Sequence, residues 1–115
     1  MPEYIAPIDD LRFALTLSNK EDLTTWPGFE DASPDLIDAV LGEAARFSKD
    51  VLSPINYLGD QTPPAVNEGV VTTSPEWRAA YTQFIEGGWT GLALDPSFGG
   101  QGLPQVLACA VQEMW

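Results

Sequence analysis

The chain has 115 residues, 44% of them hydrophobic, and sets 17 acidic side chains against 5 basic ones for a net charge of -12. That length is enough for one small domain with a real core, and the apolar content is too high for a disordered segment. The acidity argues against binding nucleic acid or an anionic membrane through a basic patch, and the absence of histidine removes Ser-His and Cys-His pairs and most zinc sites.

The opening MPEYIAPIDD carries neither a basic stretch nor an apolar run of the signal-peptide kind. No uncharged apolar run approaches about 20 residues, so no spanning helix is expected. The single cysteine, Cys109, excludes an intrachain disulfide and fits a reducing compartment. The chain reads as cytoplasmic. Residues 1–17 hold a short helix, with Asp9 or Asp10 as cap and Leu11, Phe13, Ala14 and Leu17 as apolar positions. Residues 18–32 form a loop in which Trp26 and Phe29 serve as anchors.

The second helix starts at Ser33-Pro34-Asp35, an N-cap followed by proline in the first turn and a carboxylate that complements the helix dipole. Leu36, Ile37, Val40, Leu41, Ala44, Phe47 and Val51 fall on one broad arc, with Asp38, Arg46 and Lys49 opposite. The helix is expected to run to about Leu52 and to end at Pro54. Residues 53–73 read as a connector, with Gly69 to Thr73 extended. A third helix begins with the same device, Ser74-Pro75-Glu76, presents Trp77, Ala80, Tyr81, Phe84 and Ile85, and stops at Gly87-Gly88.

Next comes the glycine-rich segment GGWTGLALDPSFGGQGLP, whose apolar anchors are Trp89, Leu92, Leu94 and Phe98. The last helix follows Pro104. At about 100° per residue, Leu103, Leu107, Ala110, Val111 and Met114 share one face, which Val106 and Ala108 widen. A helix apolar over most of its circumference is buried in a larger body, and no C-terminal cap follows it before Trp115. The expectation is the front end of a longer protein, whose terminal helix self-associates through residues 103–115 or lacks order when the chain is alone.

Catalytic chemistry is not visible. Cys109 reads as a buried small hydrophobe with nothing basic near it in sequence. Asp9/Asp10 and Glu30/Asp31 read as capping or solvated carboxylates rather than an acid–base pair. Gly100-Gln101-Gly102 is a poor nucleotide loop: the third glycine of a dinucleotide fingerprint would fall at Gln105, and no strand precedes the run. An acidic face for a basic partner has no dense acidic run behind it.

The order of an amphipathic helix ending in VLSPIN, a loop, FIEGGWTGLALDPSFGGQGLP and then VLACAVQEM resembles the N-terminal helical region of acyl-CoA dehydrogenases. The most specific part is Gly87-Gly88-Trp89 through Gly99-Gly100-Gln101-Gly102-Leu103, followed by a helix bearing Glu113. The family often carries a second acidic residue where this chain has Met114. The resemblance covers residues 34–115, a partial N-terminal helical domain. Residues 1–33 resemble the extra N-terminal segment of a longer subfamily, the 3-methylmercaptopropionyl-CoA dehydrogenase branch.

What the resemblance implies is FAD-dependent α,β-dehydrogenation of an acyl-CoA thioester, with electrons passed to an electron-transfer flavoprotein. It also implies β and C-terminal domains that this sequence does not contain. Those domains supply the family's base and nearly all of its flavin contacts, so no catalytic, cofactor-binding, substrate-binding or metal residue is assigned here, and no FAD is expected on this chain alone. Glu113 is expected in a surface or interdomain contact. The fold expected is all-α, a small bundle of about four helices with long irregular loops. The rival reading is a stand-alone acidic helical module that binds a protein through its last helix.

Overall fold

The computed structural model describes residues 3–18 and 22–115. The chain is mostly helical. Helix α1 spans Ile8–Ser18, α2 Pro34–Phe47, α3 Ser53–Gln61, α4 Pro75–Glu86 and α5 Gln105–Gln112. A small antiparallel hairpin, β1 (Ala65–Asn67) and β2 (Val70–Thr72), separates α3 from α4. A wide-turn segment, Ser48–Leu52, joins α2 to α3 without a break, so the α-helices of the described residues form four rods.

That junction corrects the expectation that Pro54 ends the second helix. Proline lacks an N–H, and its ring collides with the carbonyl four residues back. The chain widens to π-helical turns just upstream, where the Ser53 N–H donates to the Ser48 carbonyl, five residues back. Ser48 is itself buried and donates its hydroxyl to the Ala44 carbonyl at 2.9 Å, a local bond that bends helices. Pro54 then sits in the first turn of α3, where its missing donor costs nothing. At the start of α2, the Ser33 hydroxyl accepts the Leu36 N–H at 3.2 Å, as the sequence predicts.

The core gathers Leu11 and Leu15 of α1, Leu41 and Ala44 of α2, Leu92, and Leu107, Ala108, Ala110 and Val111 of α5 with Met114. Two expectations fail here. In α1 the buried residues are Leu11 and Leu15, while Phe13 and Leu17 are 66% and 60% exposed. The helix starts at Ile8, so Asp9 and Asp10 lie in its first turn rather than at its cap. Arg12 ties α1 to α2 through Asp38 at 2.6 Å and also holds Asp9 at 3.2 Å.

The larger correction concerns α5. Its apolar face is not left open: Leu107 and Val111 are 0% and 1% exposed, covered by α1 and α2 of the same chain. Residues 103–115 therefore do not form the exposed sticky surface expected from their composition. Trp26, expected as an anchor, is exposed, and Phe29 is half-buried. Residues 19–21 of the expected loop lie outside the described residues.

The extended segment at Gly69 is the second strand of the hairpin. Val66 pairs with Val71, and Glu68 and Gly69 form a two-residue turn with φ of 50° and 79°. Two successive positive φ angles are the turn geometry that matches strand twist. Every strand residue of the hairpin is exposed.

Candidate functional site

Four aromatic rings meet where α2, α4 and the two ends of the glycine-rich segment's flanks converge. Phe47, at the end of α2, lies 5.9 Å from Phe84, 6.5 Å from Trp89 and 6.2 Å from Trp115, centroid to centroid. Trp115 meets Phe84 edge-on at 5.3 Å and Trp89 at 5.3 Å. Tilted and edge-to-face pairs at these distances are the favoured arrangements. The cluster fastens the C-terminal residue to the body of the fold.

A groove opens on each side of the cluster. One, about 490 Å³, runs between α3 and α4 and is lined by Tyr4, Leu52, Ser53, Ile55, Asn56, Trp77, Ala80, Tyr81, Phe84, Met114 and Trp115, with no charged side chain among them. The Trp77 indole also lies on Gly59 of α3, where an added Cβ would come within 2.7 Å of the ring. The other, about 560 Å³, lies between α2 and α4 and is lined by Val40, Glu43, Arg46, Phe47, Gln83, Glu86, Trp89 and Gln101, among others. Arg46 there is already bound to Glu43 at 2.6 Å; that bond and its charge raise the guanidinium pKa and lower that of the carboxyl.

The glycine-rich segment is a self-bonded loop. Backbone bonds run from Gln101 N–H to the Gly91 carbonyl at 2.9 Å, from Gly102 N–H to Leu94 at 2.9 Å, and from Leu103 N–H to Leu92 at 3.0 Å. The Gln101 side-chain amide donates to the Gly88 carbonyl at 3.0 Å. Asp95 accepts the Ser97 N–H at 2.8 Å, and this bond, with the serine side chain, holds its carboxyl below the usual range. At Gly88 the space a Cβ would take is filled by Gln101, and at Gly100 by the Leu94 carbonyl. A phosphate cradle needs free N–H groups around an open bowl; here the N–H groups of Ser97 to Leu103 are bonded within the chain, and the space beside Gly88 and Gly100 is filled, although Gly99 faces open space.

Individual predicted residues fall as follows. Glu113 caps α5 at the surface, its N–H bonded to the Cys109 carbonyl. Glu30 accepts the Gly28 N–H at 3.1 Å, a turn-stabilising role. Cys109 is exposed, with the Gln105 amide 3.9 Å from its sulfur, which corrects the expectation of a buried thiol. Among the described residues no group of three or more His, Cys, Asp or Glu side chains could hold a metal ion. No helix there is long and apolar enough to cross a membrane. Sequence reasoning named Phe47, Phe84 and Trp89 separately as core residues or anchors but missed their convergence on Trp115.

A curated protein, 3-methylmercaptopropionyl-CoA dehydrogenase of Ruegeria pomeroyi (strain ATCC 700808 / DSM 15171 / DSS-3), is 32% identical over 117 aligned residues, which take in 96% of this chain. This chain is homologous to part of an acyl-CoA dehydrogenase. It spans 19% of the length of the dehydrogenase it matches. No protein-family profile matches the chain. The all-α expectation holds in the four helical rods, with the hairpin added, and is consistent with a truncated N-terminal helical domain of an acyl-CoA dehydrogenase.

Proposed function

We propose that this chain is the N-terminal helical portion of an FAD-dependent acyl-CoA dehydrogenase and has no catalytic activity by itself. The observation that carries the reading is the relationship along 96% of the chain to a dehydrogenase about five times its length. In this reading residues 34–115 are the helical domain proper and residues 1–33 an extension that adds α1 to its core. The unit's part in the reaction is structural. Its helices and braced loop form a rigid wall, and the residues that bind flavin, take the α-proton and contact the thioester belong to polypeptide outside this sequence. The acyl-CoA substrate, the electron-transfer flavoprotein and a cytoplasmic location are part of the same proposal.

The test has two arms. The purified 115-residue chain, mixed with FAD, acyl-CoA thioesters and an artificial electron acceptor, is expected to bind no flavin and reduce no acceptor. The product of the full reading frame that includes this sequence is expected to carry flavin absorbance and to oxidise acyl-CoA. Turnover by the short chain, or a full-length product without flavin, would sink the reading.

A further inference from the structure

Trp115 stands at the mouth of one groove and not of the other. Its indole meets Phe84 and Trp89 at 5.3 Å and Phe47 at 6.2 Å, so its place is fixed by three rings. Trp115 and its neighbour Met114 line the groove between α3 and α4. Neither lines the groove between α2 and α4, where Glu43, Arg46 and Glu86 stand. Polypeptide joined to Trp115 therefore starts in the groove that has no charged side chain. From there the groove follows α4 past Phe84 and Tyr81 to Trp77, whose indole lies on Gly59 of α3. At about 1.5 Å per residue, Phe84 and Trp77 are about 10 Å apart along the helix. An extended segment covers that distance with about three residues, a helix with about seven.

Along that path Trp77 and Tyr81 are 44% and 62% exposed, one helical turn apart on the same face of α4. We propose, resting on the reading of this chain as part of a longer dehydrogenase, that the α3/α4 groove is the seat of the polypeptide that directly follows Trp115 in that protein. The first ten or so of those residues run between α3 and α4 and cover Tyr81 and Trp77. The segment is apolar, because a charge carried into the groove would find no opposite charge there. Attachment selects this occupant over a separate molecule. A segment tethered at the groove's mouth docks at a high effective concentration and does not lose the translational freedom that a free partner loses. The apolar face of α5 is a different surface, already covered by α1 and α2.

Photocrosslinking in the full-length protein tests this. Tyr81→p-benzoylphenylalanine puts a photoreactive ring in the groove, and Trp77→p-benzoylphenylalanine gives a second probe farther along it. Retained flavin absorbance shows that each variant is folded. After irradiation and digestion, mass spectrometry is expected to find both probes joined to the peptide that directly follows Trp115. Oxidative footprinting of the unsubstituted protein supplies a measurement free of variants: Tyr81 is expected to oxidise in the 115-residue chain and to lose that reactivity in the full-length protein. The proposal is overturned by crosslinks to a later part of the same chain, by crosslinks to a second subunit (a species of doubled mass on a denaturing gel), or by a Tyr81 that oxidises equally in both proteins. The two failures are distinguishable. A flavin-bearing protein whose crosslinks map elsewhere removes the groove's occupant and leaves the dehydrogenase reading standing, whereas an unsubstituted full-length protein without flavin removes that reading and this proposal with it.

Discussion

The Gln101 side-chain amide donates to the Gly88 carbonyl at 3.0 Å, thirteen residues earlier, and its nitrogen occupies the space that a side chain on Gly88 would need. The two residues close the glycine-rich loop like a latch. Gly88 has a φ of 76°, in the left-handed region that costs other residues about 1–2 kcal/mol. Gly88→Ala therefore combines backbone strain with displacement of the latch. Gly100→Ala is worse, because the new Cβ meets the Leu94 carbonyl, which is backbone and cannot rotate away. Urea unfolding is expected to show a loss of about 1–2 kcal/mol for Gly88→Ala and about 3 kcal/mol or more for Gly100→Ala. Gln101→Ala, which removes one exposed hydrogen bond, is expected to cost about 1 kcal/mol or less. Equal stability of the Gly100→Ala variant and the parent would disprove the close approach.

The two faces of α1 separate by the same measurement. Leu11 is 5% exposed against α2 and α5, and Phe13, two residues on, faces solvent. Leu11→Ala is expected to cost about 2–5 kcal/mol, the range for a buried leucine. Phe13→Ala is expected to stay within about 0.5 kcal/mol. If the phenylalanine proves the costlier loss, α1 is docked by its other face.

These cases show where the sequence was legible. The α2 arc from Leu36 to Phe47 and its Ser33 cap were readable because a long amphipathic period and a cap reinforce one another. In α1, only 11 residues long with apolar side chains around much of its girth, the period could not decide between Leu15 and Phe13. Pro54 misled because the rule that proline ends helices ignores a wide turn placed just before it. The hairpin had a partial signal, Gly69 before the β-branched run Val70 to Thr73, but β1 has Val66 as its one β-branched residue and Glu68 is an unusual residue for a positive φ. The burial of α5 was read from composition correctly and attributed to the wrong cover: α1 and α2 lie far away in sequence, and only the folded chain shows that they close over it. The aromatic cluster was hidden for the same reason, since Phe47 and Trp115 meet through tertiary packing.

Cys109 provides a test that inverts the reading from sequence. Its neighbours Ala108 and Ala110 are buried, but the sulfur side of α5 faces outward beside Gln105. An aromatic disulfide reagent is expected to label Cys109 in the native chain nearly as fast as in denaturant. Protection that only unfolding relieves would return the thiol to the core.

Acid should loosen the glycine-rich loop in a defined direction. Asp95 accepts the Ser97 N–H, and this bond, then the serine side chain, lowers its carboxyl pKa from an ordinary 3.8. Asp22 is lowered in the same sense, first by the Thr24 hydroxyl at 2.7 Å and then by its backbone N–H. A depressed folded pKa means that the unfolded chain binds more protons between the two midpoints, so stability rises with pH in that window. The contribution is fully present above 3.8 and is lost as pH falls through the lower folded midpoint. Carboxyl-detected NMR is expected to find the Asp95 midpoint below 3.8, and Asp95→Asn, which keeps an acceptor oxygen but cannot titrate, to flatten the acid limb of stability against pH. A native midpoint at or above 3.8 would show that the turn does not hold its carboxylate in the way the geometry requires.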